Sequence, residues 1–268
     1  MRKIINIFGG DNVKRFNAVE AVSDAILKDG LVEALLLKGS IARGDDDDYS
    51  DVDMYAVVSS DYRDKFLSKR INYLEHYMPL VYWSESDFVG PQIVGVYEDA
   101  LHFDLYTVAP DAIPQTDSIK VLYDKNGLLK SYQEKTLSIS PADVVENIHE
   151  LTFVLLEFEA AYMRRDFMWS IRLFYALLAH LSFVVRYIYD EDNSQLALKR
   201  LYKVLPDNLH NDFLDILENA TPTNVLTAVK MIVTLAEKQI EALPNDISEN
   251  INMKFFALMQ SKIAVMQV

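Results

Sequence analysis

The chain has no cysteine among its 268 residues. That excludes disulfides and thiolate metal sites, and it fits a reducing compartment. Basic charge is also scarce: 26 Lys and Arg stand against 40 Asp and Glu, a net charge of -14. The deficit is general, with 15 basic and 23 acidic side chains in residues 1–140 and 11 and 17 in residues 141–268. Nucleic acid is bound largely by neutralising phosphates, so this balance argues against a polynucleotide partner. A cationic small molecule would be attracted instead. Long apolar runs are missing as well. A spanning helix takes about 20 mainly apolar residues, whereas the stretch 173–189 is interrupted by His180, Ser182 and Arg186. The apolar part of MRKIINIFGG is too short for the core of a signal peptide. No membrane partner and a cytoplasmic location are therefore expected. There is no internal repeat and no low-complexity linker.

What is present is an ordinary globular composition, 50% hydrophobic and 25% charged. At about 150 residues per domain the length suits two modest domains or one large one. Up to about residue 125 the apolar pattern alternates between periods. Val19, Val22 and Ile26 have helical spacing, and ALLLK at 34–38 reads as a buried strand ending at Gly39. DMYAVV at 53–58 reads as a second strand, after which Ser60 can cap a helix running through Phe66, Ile71 and Leu74. Further strands are expected at 80–83, 92–97, 101–108 and 120–124, with a turn at Glu98 and Asp99 joining two of them in a hairpin.

From Pro141 the period becomes 3.6. Helices are expected over 142–165, 167–189, 195–204, 209–219, 224–243 and 247–266, punctuated by Pro206, Pro222 and Pro244. The expected fold class is α+β: a mixed sheet with flanking helices in residues 1–140, then an all-α bundle in residues 141–268.

The chemistry concentrates in LLLKGSIARGDDDDYSDVDMYAVV, residues 35–58. A buried strand delivers Gly39 and Ser40 to a turn, ten residues follow, and Asp51 and Asp53 then straddle Val52 at the next strand. Residues i and i+2 of a strand share a face, roughly 7 Å apart, so the two carboxylates can converge. Adjacent unpaired carboxylates repel, and a hard cation such as Mg²⁺ relieves them. Gly39 lets a phosphate approach the backbone, and the Ser40 hydroxyl can donate to phosphate oxygens. Together they describe a metal and triphosphate site. A third carboxylate, Asp104, shares a strand face with His102 and Tyr106, where an acid needs a partner.

This order resembles the nucleotidyltransferase superfamily: a strand, GS, some nine to thirteen residues, D-x-D on a second strand, and an acid on a third. Gly39, Ser40, Asp51, Asp53 and Asp104 carry the resemblance, which spans residues 35–108. A sheet-bearing head with a helical tail looks most like the aminoglycoside and lincosamide nucleotidyltransferases of antibiotic resistance. The resemblance implies that Asp51 and Asp53 hold Mg²⁺, as two ions, that Asp104 completes the metal site or acts as base, and that Gly39 and Ser40 cradle the triphosphate of ATP. The implied partners are a nucleoside triphosphate and a small hydroxyl-bearing acceptor, cationic if the acidic loop 45–48 attracts it. The implied reaction is AMP transfer with release of pyrophosphate. The alternative is a non-catalytic relative that senses nucleotide or binds a partner. A monomer or a homodimer is expected.

The four consecutive carboxylates at 45–48 depart from the usual pattern; they are either a solvated turn or a fence for a cation. Arg43 is placed to reach a phosphate or to neutralise that loop. Arg172 would lie in the first turns of a helix capped by Asp166, where an anion is welcome and a cation is not. A bound triphosphate or a nearby carboxylate accounts for it. On the first tail helix, Val144, Ile148, Leu151, Leu155, Phe158 and Tyr162 form one stripe. The resembled branch can place an acceptor-binding or basic carboxylate on this helix, which makes Glu150 and Glu159 candidates. His102, His149 and His180 lack metal-ligand spacing, and core or surface roles suffice for them.

Overall fold

The computed structural model describes residues 14–87 and 90–267. The stretch 1–10 weighed as a signal peptide lies outside the described residues. The chain divides into two compact units, Met1–Thr136 and Leu137–Val268. Its class is α+β, with a mixed six-stranded sheet and many helices.

In the first unit, α1 (Lys14–Asp29) buries Ala18, Val19, Val22 and Ile26, the stripe set by its 3.6 period. Next come β1 (Ala34–Lys38), the short helix α2 (Gly39–Arg43) and β2 (Val52–Val57). Two short helices, α3 (Ser60–Leu67) and α4 (Arg70–Leu74), precede β3 (Leu80–Asp87), β4 (Pro91–Tyr97), β5 (His102–Val108) and β6 (Lys120–Asp124). The sheet order is β3-β4-β5-β2-β1-β6. β2 and β5 run parallel, and the other described pairs are antiparallel. The turn after Tyr97 pairs β4 with β5 as a hairpin, with Tyr97 N donating to Leu101 O at 3.1 Å.

Alternation splits the central strands between two clusters. Leu35, Leu37, Met54, Ala56, Phe103 and Leu105 pack with α1 and Phe66. Leu36, Tyr55, Val57 and Val108 pack with Ile113 and Leu129 on the other face. Two expectations near here change. The residue before α3 is Ser59, not Ser60, and its side chain makes no capping bond. The single helix expected from 60 to 74 breaks after Leu67, where Ser68 Oγ donates to Lys65 O and competes with the helical ladder.

The second unit is helical. α5 (Pro141–Met163) opens with a capping box between Ser140 and Asp143 and with Pro141 in the first turn, where its missing N–H costs nothing. Its stripe is buried as patterned, except that Tyr162 is only partly covered. Asp166 caps α6 (Phe167–Tyr189) by accepting from Trp169 N at 3.1 Å. α7 (Asp207–Glu218), α8 (Val225–Ala242), α9 (Asn245–Ser248) and α10 (Met253–Val265) complete the unit. α6 is long and apolar enough, by length and composition, to cross a membrane, which differs from the shorter stretch considered in the sequence. Here its Leu173, Phe174, Leu177, Leu181 and Val185 are buried in the helical core.

The helix expected over 195–204 is absent. Ala197 (φ 46°) and Arg200 (φ 57°) take left-handed backbone that no α-helix tolerates, leaving 3₁₀ turns at Glu191–Leu196 and Leu201–Lys203. The helix expected over 247–266 is interrupted at Asn252, whose side chain accepts from Phe255 N and starts α10 afresh.

Candidate active site

The turn from β1 into α2 brings the first residues together. Gly39 has φ 66°, a conformation that strains other residues, and a Cβ placed there would collide with the Asp53 carboxylate. The glycine therefore serves close approach as well as the turn. α2 closes at Gly44 (φ 77°), whose N–H donates to Ser40 O. The Ser40 hydroxyl has no hydrogen-bond partner among the described residues.

Register aligns the acids. Asp53 pairs with Lys38 across the antiparallel β1–β2 ladder and with Asp104 across the parallel β2–β5 ladder. Lys38, Asp53 and Asp104 thus share one sheet face, with Asp51 and His102 two residues back along β2 and β5. His102 links the acids: its Nε2 donates to Asp104 Oδ1 at 2.9 Å, and its Nδ1 lies 3.7 Å from Asp51 Oδ2. Asp104 is nearly buried at 10% side-chain exposure, so this bond supplies the partner that a strand acid needs.

The three charges are felt together. The hydrogen bond that His102 donates to Asp104 raises its imidazole above the ordinary value; burial opposes this, and the fields of Asp104, Asp51 and Asp53 add to it. Burial raises the Tyr55 and Tyr106 hydroxyls, Asp53 and Asp104 raise both further, and Asp51 adds to the shift of Tyr106. The two tyrosine rings stack at 4.3 Å beside the acids.

Only hard oxygen donors are offered by Asp51, Asp53 and Asp104, and their charges converge on His102 and Tyr106. In donor chemistry the set fits Mg²⁺. A ready-made three-carboxylate cage is nevertheless not present. Among the described residues no group of three or more His, Cys, Asp or Glu is arranged to hold a metal ion, and His102 engages Asp104.

Lys38 is buried on the same face. Its Nζ donates to Pro114 O at 2.9 Å, to Tyr132 Oη at 3.0 Å and to Thr116 O. The ring centroids of Tyr55 and Tyr132 lie 5.7 and 5.4 Å away. Burial lowers the Lys38 ammonium, while Asp117, Asp53 and Glu134 oppose that.

Arg43 Nη1 binds Asp117 Oδ2 at 2.5 Å and its Nε lies 3.4 Å from Asp45, so it is engaged with carboxylates. The acidic loop is partly paired, with Asp45 and Asp48 exposed. Arg15 binds Asp46 at 2.5 Å and lies 3.7 Å from Asp48, while Asp47 accepts from Tyr49 N and Ser50 Oγ. In the helical unit, Arg172 and Glu150 are exposed, and Glu159 is held by Lys262 at 2.6 and 2.8 Å.

Neither His102 nor Lys38 is assigned a role in the site by the sequence. Period-2 spacing does put His102 on the Asp104 face, and that signal was usable. Lys38 has no local signal, because its acceptors lie 76 to 94 residues away in the chain.

No family model matches the chain, and no curated protein matches it. Among solved structures, it is similar to an aminoglycoside 6-adenyltransferase from Bacillus subtilis, with 11% identity and a TM-score of 0.39 over 96% of this chain and 100% of that one. A likeness at that level carries no argument about fold or activity.

Proposed function

We propose that this chain is a Mg²⁺-dependent nucleotidyltransferase that moves AMP from ATP to a hydroxyl of a small molecule and releases pyrophosphate. The observation that carries the reading is the register pairing of Asp53 with Asp104, with Gly39 backed onto Asp53. The same residues carry the sequence resemblance.

On this reading Asp51, Asp53 and Asp104 would hold Mg²⁺, which when bound neutralises the triphosphate and polarises its α-phosphorus. The Ser40 hydroxyl donates to a phosphate oxygen, and the missing side chain of Gly39 lets the phosphate reach the backbone. The acceptor hydroxyl oxygen attacks the α-phosphorus in line, and the bond to the bridging oxygen breaks. Pyrophosphate leaves, and the hydroxyl proton passes to a site carboxylate. Arg43 would assist the triphosphate only by releasing its carboxylate partners, and Glu159 would serve an acceptor only by releasing Lys262, while Arg172 and Glu150 are proposed from the sequence alone. An aminoglycoside- or lincosamide-like antibiotic is the acceptor class proposed. Arg15 and Arg43 offset part of the charge of loop 45–48, and the exposed Asp45 and Asp48 would still favour a cationic acceptor.

One observation favours a second, non-catalytic reading. The His102–Asp104 bond engages one oxygen of an acid that the resemblance assigns to the metal site or to the base. A chain retained for nucleotide sensing or partner binding would tolerate that bond permanently. Incubation with labelled ATP, Mg²⁺ and a panel of aminoglycosides and lincosamides decides between them. Acceptor-dependent pyrophosphate release and a labelled product support transfer, whereas ATP binding without release supports the sensor.

A further inference from the structure

Gly39 and Ser40 lie between two cations, Lys38 and Arg43, and both cations are bound to the same connecting segment between β5 and β6. Lys38 reaches its carbonyls at 114 and 116, and Arg43 reaches Asp117. Tyr132 links the two ends, since its hydroxyl accepts from Lys38 and donates to Asp117 O at 2.7 Å. The segment is also unusual in itself. Asp117 has φ 69° and its N–H donates to Lys135 O, while Lys135 N donates back to Gln115 O.

An ammonium has three donors, and those of Lys38 go to two carbonyls and one phenol. No carboxylate is paired with it among the described residues, so this cation is placed for its geometry rather than for a simple ion pair. Its donors are spent within the protein, so it cannot at the same time touch a nucleotide. A buried cation left without acceptors is costly, which makes the arrangement stiff: the segment cannot lift unless Lys38 is uncovered.

We propose that Lys38 is a positioning residue, its ammonium tying segment 113–119 to the Gly39–Ser40 turn so that the turn is held against Asp53. The catalytic part of this inference rests on the nucleotidyltransferase reading above; the tether itself does not.

The test uses the full-length chain, with Lys38→Met, Lys38→Arg and the milder Tyr132→Phe, in two independent arms. In the first, amide hydrogen exchange is followed across 39–43 and 113–119. Lys38→Met should speed exchange in both segments at least tenfold while β2 and β5 stay protected. Tyr132→Phe should give a smaller increase, and Lys38→Arg should restore part of the protection. Tyr132→Phe keeps the test decisive if Lys38→Met fails to fold. In the second arm, pyrophosphate release with Mg-ATP and an active acceptor should show kcat down at least tenfold in Lys38→Met, with the KM for ATP within about threefold. Unchanged exchange in both segments overturns the tether. Faster exchange with unchanged kcat overturns the positioning role. A large rise in the KM for ATP with unchanged exchange would make Lys38 a direct nucleotide ligand, which also overturns it. If the parent protein releases no pyrophosphate with any acceptor, the nucleotidyltransferase reading falls, and the exchange arm alone decides the tether.

Discussion

Alternate residues of the same three strands meet two unlike environments. Leu35, Leu37, Met54, Ala56, Phe103 and Leu105 face one way and are wholly buried. Lys38, Asp53, Asp104, His102 and Tyr106 face the other way and carry charge, hydrogen bonds or a phenol. The apolar face draws its stability from transfer out of water, roughly 1.5–3 kcal/mol for each large side chain. The polar face holds groups that are costly to bury, and Lys38, His102 and Asp104 are satisfied there by hydrogen bonds. The apolar face governs the polar one: a one-residue slip of a strand would exchange the two sets, so the packing of Phe103 and Leu105 fixes which way Asp104 points.

The largest effect should come from the apolar face. Phe103→Ala should lower the unfolding free energy by about 3–5 kcal/mol, the usual range for an emptied aromatic site, as read by urea denaturation. A loss below about 1 kcal/mol would break the comparison. The converse belongs to the polar face. Asp53→Asn should reduce pyrophosphate release by about 10²- to 10³-fold, the scale of a lost electrostatic contribution to the transition state, with little movement of the urea midpoint. Full activity with undiminished Mg-ATP affinity by calorimetry would remove Asp53 from the site.

Ser40→Ala should cost about 1–3 kcal/mol in kcat/KM, as for a hydrogen bond to a charged group. Unchanged kinetics would leave Ser40 a role in the turn alone. The smallest effect is a pH effect in the layer over the apolar face. Asp29 accepts from Lys69 at 2.6 Å and from Tyr73, and these bonds hold its carboxyl below the ordinary value of 3.8. Between the folded and unfolded pKa values the unfolded chain binds more protons. The contribution is therefore complete above about pH 4 and is lost as pH falls through the folded value. Asp29→Asn should flatten the acid limb of the stability curve, and urea midpoints from pH 5 to 3 would measure it. Parallel curves for parent and variant would show that Asp29 contributes nothing.

The contrast between faces was open to sequence reading, because period 2 alone puts His102, Asp104 and Tyr106 on one side and Phe103 and Leu105 on the other. Strand β1 and helix α6 were equally plain, since ALLLK and residues 167–189 are apolar runs between strong stop signals. Three things were not legible. The backbone of Ala197 and Arg200 is left-handed without a glycine to announce it. The partners of Lys38 and Arg15 lie far along the chain, so the cage around one and the ion pair of the other with Asp46 follow only from tertiary packing. The role of His102 was obscured for a different reason: it was weighed for metal-ligand spacing, whereas its actual contact is with the acid two residues away.

β2 and β5 are parallel neighbours, yet residues 58–101 intervene between them and carry two helices and two strands. Asp53 and Asp104 are therefore united by a long-range pairing that forms only after a large loop has closed. A chain emerging from a ribosome exposes Asp53 well before its partner strand exists. Every truncated product ending before β5 lacks Asp104, one of the three acids, whatever local structure it has formed. The pairing of Asp53 with Asp104 thus belongs to the folded unit as a whole and to no fragment that ends before β5.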